Sequence, residues 1–197
     1  MKRSLCCIAL TLTVAAAAQA QPAGTAAATQ RDANQQGRIE QGLQSGELST
    51  REAGRLEREQ QAVDREQAHA LKDGTLTPRE QARISREQNA VSRDVYTQKH
   101  DAQKGNPASA SSRRMQADVQ RNANQQQRIA NGVESGQVTN TEAARLEAGQ
   151  ARVDRAEAHA ARDGHVGTQE QARIQGKEDR KSGQVYRKKH NARDRER

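Results

Sequence analysis

From residue 31 onward, apolar side chains recur at helical spacing: Ile39 and Leu43, then Ala53, Leu56 and Val63, then Ile84, Val91 and Val95. That period gathers them on one face of each of three successive helices. Two glycine-marked breaks divide the stretch. Gly46-Glu47-Leu48-Ser49 is followed by Glu52, and Gly74-Thr75-Leu76-Thr77 by Glu80. Ser49 and Thr77 suit N-caps, with Glu52 and Glu80 reaching back as capping-box partners. Pro78 fits the first helical position, where the missing N–H has no intrahelical acceptor. Gly46 and Gly74 suit the left-handed residue that ends the preceding helix. The pattern predicts helices over 31–44, 50–72 and 78–103, joined by tight corners. The apolar stripe is narrow, because Gln60, Gln67 and Gln88 stand where a globular helix usually carries an aliphatic residue. A unit of this size sits near the limit of about 70–80 residues below which one core rarely supplies more than about 3–5 kcal/mol. Further burial has to come from docking of units, self-association or a partner.

The pattern then returns. Residues 31–102 reappear without a gap at an offset of 90, Arg31 falling on Arg121 and Ala102 on Ala192. RDANQQGRIEQGLQSGELSTREAGRLE becomes RNANQQQRIANGVESGQVTNTEAARLE, and VDREQAHALKDG becomes VDRAEAHAARDG. The second set of helices is expected near 115–134, 140–162 and 168–191. Gly167 replaces the cap Thr77 and Lys181 replaces Val91, so the last helix should be less well capped and less buried. The expected architecture is all-α, a tandem duplication of a three-helix unit with helix-turn-helix corners. Units at 31–103 and 115–192 would be separated by a flexible connector at 104–114, preceded by a disordered leader at 21–30 and followed by a charged tail at 193–197.

Residues 1–20 read as a cleaved secretory signal: Lys2 and Arg3, an apolar stretch over Leu5 to Ala18, and a small-residue site at Ala18-Gln19-Ala20. The stretch is too short to span a bilayer and nothing later is more apolar, so a periplasmic address without a membrane span is expected. Cys6 and Cys7 leave with the signal, and with them disulfides, thiol nucleophiles and thiolate metal sites.

The net charge of +8 is unevenly placed. Residues 31–102 carry 12 Lys and Arg against 13 Asp and Glu, a balance of −1, whereas residues 121–192 carry 13 against 9, a balance of +4. The basic residues are densest at Arg187, Lys188, Lys189, Arg193, Arg195 and Arg197, a candidate anion-binding end. With Tyr96 and Tyr186 the only aromatic residues, the stacking platforms of sequence-specific single-strand or RNA binders are missing.

Asp73-Gly74-x-Leu76-Thr77-x-x-Glu80 resembles the second half of an EF-hand loop, and Gly46, Gly136 and Gly164 head similar segments. The first half of each loop is degenerate: the third loop position is Leu43, Leu71, Val133 or Ala161, where calcium needs oxygen. The corners then read as capped turns, with Leu48 facing Leu76. The candidate metal ligands are His69, Asp73 and Glu80, and His159, Asp163 and Glu170, a weak site in which a histidine and a carboxylate four apart share a helix face. Tyr96 with His100 and Tyr186 with His190 are expected to pair locally and cap a thin core. Asp64 and Asp154, each followed by Arg, read as solvated or ion-paired. No nucleophile elbow, phosphate-cradling loop or pair of carboxylates in an apolar setting is apparent, so neither an enzyme nor a bound cofactor is expected.

The pattern RI-x-x-G-x-x-SG-x-(L/V), then EA-x-RLE, a DG turn and VY-x-x-KH resembles exported proteins of Gram-negative bacteria, uncharacterised as a group, that carry such units singly or in tandem. The resemblance covers both repeats and implies a helical periplasmic protein without implying an activity. Three functions stay open: a non-enzymatic module acting through a protein partner or self-association, a divalent-metal-responsive protein, or an electrostatic binder of an anionic polymer or membrane surface.

Overall fold

The computed structural model describes residues 17–190, with side chains from residue 24. The signal's basic start and most of its apolar stretch, both cysteines, and Arg193, Arg195 and Arg197 lie outside the described residues. The described chain is all-helical: α1 (Ala17–Ser45), α2 (Thr50–Ala70), α3 (Pro78–Lys99), α4 (Ala110–Glu134), α5 (Asn140–Ala160), a 3-10 turn (Ala161–Asp163) and α6 (Thr168–Lys189). Among the described residues no helix is long and apolar enough to cross a membrane.

The helix ends follow the capping chemistry. Ser49, Thr77 and Thr139 each close a capping box, with Glu52, Glu80 and Glu142 respectively. At Gly167 half of that box survives: no side chain caps α6, and Glu170 Oε2 still accepts from the Gly167 N–H at 2.9 Å. Gly46 (φ 76°) and Gly74 (φ 89°) take the left-handed turn that a β-carbon would strain.

Two expectations fail at the edges of the repeats. The leader is helical, since α1 already runs through residues 21–30, where Thr25, Ala26 and Thr29 are buried. The connector is pinned: the Gly105 N–H donates to the Gly46 carbonyl at 2.9 Å, Ser109 caps α4, and Gln116 donates to the carbonyls of Leu43 and Pro107.

Neither half has a core of its own. One apolar cluster joins Ile39, Leu43, Leu48 and Leu56 to Met115, Val119, Val153 and Ile174. The other joins Leu71, Leu76 and Ile84 to Ile129, Val133 and Leu146. Leu48 and Leu76 therefore sit in different clusters and do not face one another. α1 lies antiparallel along α4, Gln30 meeting Gln127 while Leu43 meets Gln116. α2 crosses α5 antiparallel, from Arg51 on the Asp163 carbonyl to Asp64 beside Asp154. Burial that one narrow stripe cannot supply thus comes from the facing half.

Candidate functional site: a buried carboxyl layer and two grooves of opposite charge

Between the two apolar clusters lies a polar layer. Asp32, Glu57, Asp64, Glu147, Asp154 and Glu157 are each no more than 1% exposed. Two of the glutamines that thin the apolar stripe, Gln67 and Gln88, are partners of this layer, which explains why glutamine occupies those core positions. Gln36 donates to Glu57 Oε2 at 2.9 Å, and its sequence match Gln126 donates to Glu147 Oε2 at 3.2 Å and Asp64 Oδ1 at 3.3 Å. Gln67 and Gln88 both donate to Asp32. Asn122 donates to Glu157 Oε2 at 2.6 Å and Asp154 Oδ1 at 3.3 Å. Residues 32 and 122 match, as do 67 and 157, so amide and carboxyl have changed places between the halves while the hydrogen bond persists.

Burial dominates the electrostatics. It pushes Asp32 up to about 8, with Glu147 adding to the effect, and Glu57 up to about 7 against the hydrogen bond from Gln36. Asp64, Asp154 and Glu157 are all raised well above the usual carboxyl range, first by burial and then by neighbouring carboxyls. The expectation that Asp64 and Asp154 are solvated or paired with arginine is therefore overturned, as is the absence of carboxyl pairs in an apolar setting. Their helix faces are polar, but each polar face meets the other. Lys181 supplies the one buried ammonium among the described residues; burial lowers it to about 8, and the first opposing influence is Glu147. Its Nζ donates to the Leu146 carbonyl. Lys181 is thus buried as fully as Val91, contrary to the expectation of a less buried last helix. Every buried side-chain polar atom left without a partner, among the described residues, is an oxygen.

The histidine turns are built otherwise. His69, Asp73, His159 and Asp163 are exposed, and Glu80 and Glu170 half-buried. Asp73 Oδ1 accepts from the N–H and hydroxyl of Thr75, Asp163 Oδ1 accepts from the His165 N–H, and Glu80 and Glu170 are engaged at helix starts. The turn residues do not converge. Glu57, Asp154 and Glu157 alone, among the described residues, bring three ligand oxygens within 4.8 Å of one another. Tyr96 stacks on His100 and Tyr186 on His190 with centroids 4.1 Å apart, but the tyrosines are 62% and 58% exposed and cap no core.

Outside the layer, matching grooves run between the second and third helix of each half. The α2–α3 groove, about 450 Å³, carries Glu59, Glu66, Glu87 and Asp94 against Arg65 and Arg83. Arg83 pairs with Glu66 at 3.0 Å and Glu87 at 3.6 Å. The α5–α6 groove, about 410 Å³, carries Arg152, Arg155, Arg173 and Lys177 with His159 and Glu170. Arg173 matches Arg83, but Ala156 and Lys177 stand where Glu66 and Glu87 do, so the two ion pairs have no counterpart. Of the basic-end residues that are described, Lys188 is engaged by Glu142 at 2.8 Å and Arg187 is exposed. Comparison with protein-family models, curated proteins and solved structures finds no match.

Proposed function

We propose that the chain is a non-enzymatic interaction module of the periplasm, built by tandem duplication of a three-helix unit with degenerate EF-hand-like corners, and that its α5–α6 groove receives an anionic polymer. The observation that supports this is the fate of one arginine in two copies. Arg83 is neutralised by Glu66 and Glu87, whereas Arg173 shares its groove with Arg152, Arg155 and Lys177. A groove in which four cations face the single carboxylate of Glu170 attracts polyanions through long-range, salt-sensitive electrostatics. The α5–α6 groove offers no nucleophile with an oriented base, and the carboxyls of the layer are at most 1% exposed, which supports the non-enzymatic part.

Fluorescence anisotropy with a labelled heparin fragment tests the reading. Binding should weaken steeply with salt and drop at least tenfold in Lys177→Glu/Arg155→Ala, the first substitution restoring the residue of the first half. Wild-type affinity in that variant would refute it. Loss of binding only on deletion of residues 185–197 would move the site to the basic end, at Arg187, Lys188, Lys189, Arg193, Arg195 and Arg197.

A further inference from the structure

We propose that Glu57, Asp154 and Glu157 form an internal site for one hard divalent cation of the calcium type, held at the crossing of α2 and α5. All three residues are at 0% exposure, and one oxygen from each lies within 4.8 Å of the others. Oxygens sharing one calcium at about 2.3–2.6 Å stand no farther apart than about twice that distance. The set contains no nitrogen or sulfur, so it suits calcium rather than zinc or copper.

Two further observations call for a cation there. The first is an excess of acceptors. Gln36 gives its amide N–H to Glu57 and Gln150 gives one to Asp154 at 3.4 Å, yet the carbonyl oxygen of each glutamine is buried without a donor. Glu57 Oε1, Asp154 Oδ2 and Glu157 Oε1 are buried in the same state. A bound cation would satisfy oxygens that no N–H reaches.

The second is the other half of the molecule. The sequence matches of Glu57, Asp154 and Glu157 are Glu147, Asp64 and Gln67. That matched set has one carboxylate fewer, and it has a built-in cation: Lys181 lies beside the Glu147 backbone, donating to the Leu146 carbonyl, and its charge acts on Glu147 and Asp64 before Asp154. The match of Lys181 is Val91, packed in the cluster that holds Leu56. The set with more carboxylates is therefore the one without the lysine. This site is separate from the α5–α6 groove, and either can fail without the other.

Isothermal titration calorimetry and thermal melting of the full, chelator-treated chain test the site near neutral pH. The expected result is one calcium per chain with a raised melting temperature, and affinity at least tenfold lower in Glu57→Gln/Glu157→Gln and in Val91→Lys, which gives the first half the ammonium of the second. Should the double variant not fold, Val91→Lys decides, because it adds a compensating charge to the layer. Absence of heat and of any melting shift at millimolar calcium would overturn the proposal. So would calcium binding undiminished in Val91→Lys, or zinc binding that is lost on substituting His69 and His159.

Discussion

Asp64 and Asp154, matched residues of the two halves, are both fully buried where α2 crosses α5, and after burial itself the Asp154 carboxyl is the first influence that raises Asp64. Two carboxylates this close and this dry do not both ionise, so in the cation-free protein a proton is held between them. Self-complementary docking of like elements brings each polar residue toward its own match, and here that residue is an acid.

Stability should fall as pH rises. In the unfolded chain carboxyls lose their protons near pH 4, whereas in the folded chain Asp32 keeps its proton to about pH 8 and Glu57 to about pH 7. Between those limits the folded state binds more protons, so each such group removes up to about 1.4 kcal/mol of stability per pH unit. Lys181, lowered to about 8, acts in the opposite sense only above that pH. Urea unfolding of the cation-free chain should give a higher midpoint at pH 5 than at pH 8, and a midpoint that is flat or rises with pH would refute the layer's neutrality.

Much of the local structure was legible. The caps at Ser49 and Thr77, Pro78 at a helix start and the glycine turns fix the corners by chemistry within a few residues. The leader was hidden because Thr25 and Thr29 stand where the second half has Met115 and Val119, so its apolar signal is weak although both threonines are buried. The carboxyl layer was hidden for a different reason. On a single helix Gln60, Asp64 and Gln67 look like a solvated edge, and only the facing half turns that edge into an interior. The retained Val-Asp-Arg at 63–65 and 153–155, and Glu57 matched by Glu147, were its traces in the sequence.

The exchange of amide and carboxyl between Asp32–Gln67 and Asn122–Glu157 predicts a coupled pair. Gln67→Glu alone sets a second carboxyl against buried Asp32 and should destabilise by about 1–3 kcal/mol. Adding Asp32→Asn recreates the arrangement of Asn122 and Glu157 and should recover most of that loss. Additive effects in the double-mutant cycle would show that the two positions do not interact.

Gly54 on α2 packs directly against the turn after α5. A β-carbon there would lie 2.5 Å from Ala161 Cβ. Alanine is the better helix former by about 1 kcal/mol, so on an isolated helix Gly54→Ala would stabilise. In this protein overpacking should win, for a net loss of about 1–2 kcal/mol. Chemical denaturation gives the sign directly, and a gain would mean that the turn yields to the added methyl.

The most direct test of a neutral carboxyl layer between the halves is carbon-13 NMR of selectively labelled Asp and Glu side chains in the chelator-treated chain. At pH 6 the account predicts a set of carboxyl resonances still in the protonated position, including those of Asp64 or Asp154, with Asp32 moving only as the pH approaches 8. Complete ionisation of every Asp and Glu by pH 5 in the folded protein would contradict it.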